Sequence, residues 1–113
     1  MAKIFDKTLL NESFSESKEQ QVWEKGTIVP GFDKDKYRKD KCGAWMQRNL
    51  RGNGTALSLQ WEIDHRNPKS NGGTDDLENL QPLQWENNRG KDDNYPSWNC
   101  TVTADGDLKN KYN

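Results

Sequence analysis

Residues 57–65 read Leu57-Ser58-Leu59-Gln60-Trp61-Glu62-Ile63-Asp64-His65. From Ala56 onward, Leu57, Leu59, Trp61 and Ile63 alternate with Ser58, Gln60, Glu62 and Asp64. This period-two texture predicts a half-buried strand ending near Asp64-His65. A ten-residue loop follows, Asn67 to Asp76, containing Pro68, Asn71-Gly72-Gly73 and Asp75. Leu80, Pro82 and Leu83 then read as a short second strand, with the proline pointing to an edge position. Trp85 to Asp92 carries no strand pattern and reads as a short helix. The order strand, long loop, strand, helix places Asp64 and His65 at a strand end, and Asn88 on a helix packing back against it.

The flanks are less regular. Residues 1–12 show no sustained periodicity and are expected to be loosely held. Ser13-Phe14-Ser15-Glu16 has the S-x-x-E spacing of a capping box, which predicts a helix near 16–25 with Val22 and Trp23 buried and Gly26 at its end. Pro30-Gly31 is a turn. Asp33 to Arg51 mixes charge with Trp45, Met46 and Leu50 and is expected to be helical in parts, interrupted at Gly43. Gly52-Asn53-Gly54 is a loop signal. Thr101-Val102-Thr103 followed by Asp105-Gly106 reads as a small hairpin. The chain is therefore expected to be α+β, with one domain over 13–113.

Composition sets limits on this reading. A chain of 113 residues holds one small domain, and with 30% apolar and 31% charged residues it has little to bury. Five tryptophans (Trp23, Trp45, Trp61, Trp85, Trp98) offset part of that deficit. Base stacking is an alternative use for four of them, but core packing accounts for them more simply. Net charge is −1, yet its distribution is uneven. Residues 33–51 carry seven basic side chains against three acidic, and residues 62–94 four basic against eight acidic. A carboxylate-rich stretch beside a basic arm suits a metal site flanked by a polyanion-binding surface, although an ordinary solvated face accounts for charge alone. One histidine and two separated cysteines exclude a Cys/His zinc finger. Cys42 and Cys100 either pair or stay reduced. With no secretory h-region and no membrane-length apolar run, a soluble cytoplasmic protein is expected.

Asp64-His65 is the candidate for chemistry, although a lone His beside an Asp is more often an ordinary surface or core pair. Phosphodiester hydrolysis needs a base for water, a cation to offset charge on the phosphorane, and donors that hold the phosphate in line. Histidine, with an ordinary pKa of about 6.5, is a base at neutral pH. Asp and Asn oxygens suit a hard divalent ion that keeps several waters. Neighbours on a strand point to opposite faces, so both side chains reach one site only if the strand breaks there, as Arg66-Asn67-Pro68 suggests.

The wider pattern runs from Asp64-His65 through Gly72-Gly73-Thr74-Asp75-Asp76-Leu77-Glu78-Asn79-Leu80-Gln81-Pro82-Leu83 to Trp85-Glu86-Asn87-Asn88-Arg89-Gly90-Lys91. It resembles the HNH nuclease motif of the ββα-metal (His-Me finger) superfamily, in its small bacterial or phage form. Fourteen positions separate His65 from Asn79 and nine separate Asn79 from Asn88, which fits the motif. The resemblance covers residues 57–94, and Cys42-Gly43-Ala44-Trp45 looks more loosely like a lead-in. It implies a ββα-metal core and a metal-dependent endonuclease acting on DNA. His65 matches the general base and Asn79 the central Asn that braces the loop and helps orient it. Asp64 and Asn88 match the two metal ligands, with Asn88 standing where many members have His. The implied cofactor is one divalent ion, Mg2+ first, with Mn2+, Ca2+ and Zn2+ as alternatives for the same site. Family members leave a 5′-phosphate and a 3′-hydroxyl. Double-stranded DNA is the implied partner. Arg66 is then a phosphate contact or simply exposed, and Arg89 and Lys91 either hold phosphate or only complement the end of their helix. Lys36, Arg38, Lys39, Arg48 and Arg51 in the basic run form either a DNA-docking arm or a solvated face. Two departures stand out: Arg66 replaces an apolar residue, and the paired cysteines that brace some members with zinc are absent, leaving the Trp-rich core to do that. Two alternatives remain: a catalytically silent nucleic-acid-binding module, and a toxin nuclease held by an immunity protein. Gly72-Gly73 is either an anion-binding nest or a plain loop turn. Oligomeric state is not readable.

Overall fold

The computed structural model describes residues 14–52 and 57–113. The expected loose N-terminus, Ser13 of the expected capping box, and Asn53-Gly54 of the expected loop lie outside these residues. Helix α1 spans Glu16–Trp23. Its N-cap is Ser15, whose side chain accepts a hydrogen bond from Lys18 N at 3.1 Å. The Ser15 side chain thus caps the start of the helix, with Glu16 and Glu19 complementing the helix dipole. The helix ends before Gly26 because the chain leaves it to pair Thr27 with Lys39.

The expectation of helix within 33–51 is overturned. Strands β1 (Tyr37–Lys39) and β2 (Trp45–Gln47) pair antiparallel, with Arg38 opposite Met46, and only Arg48–Leu50 forms a short 3-10 turn. The local reason is the turn between them. Gly43 sits at φ +79°, and Asp40 Oδ1 accepts from Cys42 N and Ala44 N, both at 2.9 Å. A side chain that takes up those amides closes a hairpin turn and competes with helix.

Strands β3 (Trp61–His65) and β4 (Leu80–Gln84) pair antiparallel, placing Ile63 opposite Pro82, Asp64 opposite Gln81 and His65 opposite Leu80. β3 is shorter than the alternation implied, because Leu57 to Gln60 forms a turn closed by Gln60 N on Leu57 O. Helix α2 (Trp85–Lys91) follows β4 directly, capped by the Gln84 side chain accepting from Glu86 N and Asn87 N. A last hairpin joins β5 (Val102–Ala104) to β6 (Asn110–Tyr112), as the tail composition implied. The result is a small α+β fold of two helices and three two-stranded antiparallel sheets among the described residues. None of its helices is long and apolar enough to cross a membrane.

The half-buried expectation for β3 is also corrected, since all five of its residues are buried. The β3–β4 ribbon is covered on both sides. Toward α1 lies the apolar core of Val22, Trp23, Met46, Trp61, Ile63 and Leu80. Toward α2 lie Glu62 and Asp64. Period-two alternation reports that two faces differ in chemistry, not that one of them meets solvent. Trp23, Trp45 and Trp61 are fully buried, and their indole N–H groups donate to the carbonyls of Lys34 (3.0 Å), Gly106 (2.8 Å) and Arg48 (3.1 Å).

The Trp core shares its bracing task with a polar hub. Asp40, 3% exposed, also accepts through Oδ2 from Gln84 N at 2.9 Å and from Asn87 Nδ2 at 3.0 Å. Asn87 in turn accepts from Thr101 N and Val102 N and donates to Val102 O. Hairpin, helix and tail thus meet on one carboxylate. Burial pushes its pKa up, against the opposing pull of these hydrogen bonds. Cys42 and Cys100 pair as a disulfide beside this hub, closing a separation of 58 residues, worth about 4 kcal/mol on a chain-entropy argument. Such bonds persist in oxidising surroundings, so the cytoplasmic expectation requires the pair to be held reduced. Asp40→Asn turns an amide N–H2 toward two donors, and should cost about 1–3 kcal/mol for the groups left unpaired. Urea denaturation checks this; wild-type stability in the variant would remove Asp40 from its bracing role.

Candidate active site

β3 runs unbroken through His65, so Asp64 and His65 project to opposite faces of the ribbon. The expected break that would bring both side chains to one side does not occur within the strand. His65 lies on the α1 side, 8% exposed, with Phe14 packed near its ring at 6.0 Å between centroids. Its Nε2 is 2.7 Å from Asp75 Oδ1. The other Asp75 oxygen is 3.1 Å from Lys69 Nζ, and Lys18 Nζ donates to the Asp75 carbonyl at 2.7 Å. The hydrogen bond from His65 is the largest influence holding the Asp75 carboxyl below its ordinary pKa. Asp75 lies within the HNH-like motif, yet sequence alone does not single it out. No spacing rule marks it, because the loop must fold back before it meets the ring.

Asn79 organises that return. Its Oδ1 accepts from Asn67 N at 2.9 Å, and its Nδ2 donates to Asn67 O at 3.1 Å and Thr74 O at 2.8 Å. Its own carbonyl accepts from Arg66 N at 2.7 Å. One amide therefore ties both ends of the loop. Gly73 sits so close to Asn67 that a Cβ there would lie 1.7 Å from the Asn67 carbonyl oxygen. Gly72, at φ +90°, ends the short 3-10 turn over Lys69–Asn71. The loop turn thus explains both glycines.

The opposite face holds Glu62 and Asp64 under α2. Asp64 accepts from Gln81 Nε2 at 2.9 Å, and its carboxylate is 3.3 Å from Lys91 Nζ. The Lys91 ammonium also donates to the His65 carbonyl at 3.0 Å, and its side chain is 1% exposed. Lys91, expected on phosphate, is therefore corrected to an interior counter-ion. Asn88 donates to Glu62 Oε1 at 2.7 Å, and Arg89 Nη2 lies 2.8 Å from Glu62 Oε2. Sequence reasoning misses Glu62, because the alternation assigns it to a solvent face.

A metal is implied by the motif, and the donor set can be tested against it. The Asp64 carboxylate and the Asn88 side-chain amide offer hard oxygen donors from facing elements, so their chemistry fits a hard cation that keeps waters. The Lys91 ammonium shows that this face already balances Asp64 with positive charge. No group of three or more His, Cys, Asp or Glu suited to a metal occurs among the described residues. A divalent ion at Asp64 would have to displace the ammonium.

The basic run divides. Arg38 is corrected from a docking residue to a buried strut, donating to the carbonyls of Lys34, Glu24 and Gly26. Arg48 and Arg51 both pair with Glu19 of α1, which holds them against the domain. Lys39 lies over the Trp45 ring and Arg89 over Trp85. Lys36 and Arg66 are exposed. Arg66 lines a polar cleft with Asn67, Thr74, Glu78, Asn79 and Tyr95, beside the loop that follows His65.

Residues 49–93 match the sequence model of the HNH endonuclease family. That segment, holding the β3–β4 ribbon, the Asn79 loop and α2, is an HNH domain. No curated protein and no solved structure matches the chain.

Asp64→Ala leaves the Lys91 ammonium buried without its carboxylate, and should cost about 3–5 kcal/mol. Asp64→Ala with Lys91→Met should recover much of that loss in urea denaturation. An Asp64→Ala variant as stable as wild type would show that the pair carries no such weight.

Proposed function

We propose that this HNH domain hydrolyses phosphodiester bonds of DNA, with His65 as general base. The observation that carries the reading is the ring of His65, held by Asp75 at the end of β3 inside a family-matched segment. His65 would take a proton from water as the oxygen attacks phosphorus. Asn79 holds the loop that keeps the ring in place, and exposed Arg66 would hold a phosphate oxygen. Asp64 and Asn88 would hold the divalent ion, Mg2+ first among candidates. When bound, that ion would supply positive charge against the phosphorane. To act on the same phosphate as His65 it requires the substrate to reach round the end of β3, because Asp64 and His65 leave opposite faces of the strand. The ββα-metal core is then β3, β4 and α2, within a single nuclease domain over 13–113.

One observation favours a second reading. Lys91 already neutralises Asp64 in the interior, as suits a nucleic-acid-binding module that does not hydrolyse.

Supercoiled plasmid with Mg2+ or EDTA separates the two. The nuclease reading expects nicking that EDTA abolishes, and a loss of about 10²–10⁴-fold in His65→Ala. Wild-type nicking by a nuclease-free preparation of His65→Ala would end it. For docking, neutralising exposed Lys36 and Arg66 should flatten the log-log salt dependence of duplex affinity, by about 0.9 for each phosphate the variant no longer neutralises. An unchanged slope would return both to solvent.

A further inference from the structure

We propose that Asp75 is the positioning residue for His65, fixing its proton on Nε2 and presenting Nδ1 to the attacking water. The inference rests on the nuclease reading and deepens it.

An ionised carboxylate only accepts hydrogen bonds, so a neutral ring 2.7 Å from Asp75 Oδ1 must carry its proton on the engaged Nε2. The basic lone pair is then on Nδ1. Asp75 is well placed to impose this, because it is fixed at two points and the residue before it at a third. Lys69 holds its second oxygen, Lys18 of α1 holds its carbonyl, and Asn79 holds the carbonyl of the preceding Thr74. Phe14 packs near the ring, and Lys91 holds the His65 backbone carbonyl. Asn79 thereby reaches the histidine through Thr74 and Asp75, without touching the ring.

The step balances. A water O–H bond breaks and its proton passes to Nδ1, while the water oxygen forms a bond to phosphorus. The bond from phosphorus to the 3′ oxygen then breaks, and that oxygen leaves with the electron pair and is protonated by solvent. The imidazolium carries positive charge, which the Asp75 carboxylate stabilises from the far side of the ring.

The lone histidine makes the test direct, since every imidazole signal in labelled full-length protein belongs to His65. Ring 15N–1H spectra and plasmid-cleavage kinetics would be compared for wild type, Asp75→Asn, Asp75→Ala and His65→Ala. Asp75 is half exposed, with 49% of its side-chain surface accessible, and Asn keeps its shape, so folding should survive. Wild type should show a slowly exchanging proton on Nε2 that Asp75→Ala loses. With it, kcat should fall about 10- to 100-fold at unchanged KM, the scale seen when partners that orient a histidine are removed. Asp75→Asn should fall between the two. A ring proton on Nδ1 in wild type, or an unchanged Nε2 signal in Asp75→Ala, overturns the proposal. So does full kcat in Asp75→Ala when His65→Ala is inactive. Full activity in both variants instead overturns the use of His65 as base, and the positioning role falls with it.

Discussion

The fold depends on a buried carboxylate. Asp40 draws the hairpin turn, the first turn of α2 and, through Asn87, the C-terminal tail onto one pair of oxygens. Burying a carboxylate is costly, and four N–H donors are what make it tolerable here. Directional bonds of this kind fix orientation where apolar contact fixes only proximity. For a chain with few apolar residues, that distinction matters. The tryptophans supply area on the α1 side of the ribbon, while Asp40 and Asn87 set how α2 meets it. The metal-ligand candidate Asn88 inherits its geometry from that docking, because it follows Asn87 directly, and Lys91, the counter-ion of Asp64, lies one turn further on.

The ribbon separates two kinds of work that lie next to each other in sequence. On one face His65 sits at the edge of the apolar core, with Phe14 near its ring and Asp75 at its far nitrogen. On the other, Asp64 lies in a buried layer of paired charge. A strand achieves this separation with no added structure, since adjacent side chains alternate sides. The Lys91 ammonium reaches across both, touching the Asp64 carboxylate and the His65 carbonyl. The environment of Asp64 is thus coupled through Lys91 to the backbone that carries the histidine.

Much of the functional segment is legible in the amino-acid sequence alone. The alternation ending at His65, the proline in β4, the unpatterned stretch that forms α2, and the tail hairpin each follow from local chemistry. The misses share a cause. Asp33 to Arg51 contains a hairpin because the side chain of residue 40 captures the turn amides, and composition does not announce that. Glu62 and Lys91 look exposed because charge usually is, and only the packing of α2 over β3 shows them buried against each other's neighbours. Arg38 reads as a phosphate ligand, whereas its guanidinium serves three backbone carbonyls. Asp75 becomes visible only once the loop closes, since its bond to His65 spans ten positions through a fold-back that Gly73 permits. Pairing in space is set by tertiary structure, and the sequence offers it no local mark.

The disulfide gives the molecule a topology as well as a tether. Cys42 and Cys100 enclose β2, the ribbon, the Asn79 loop and α2 in a covalent ring, with α1 and β1 on one tail and β5 and β6 on the other. A single backbone scission within the ring, at the exposed 69–72 turn for example, would open it without releasing either piece. The severed halves would stay at high effective concentration, and the strands and helix that form the site would remain within reach of one another.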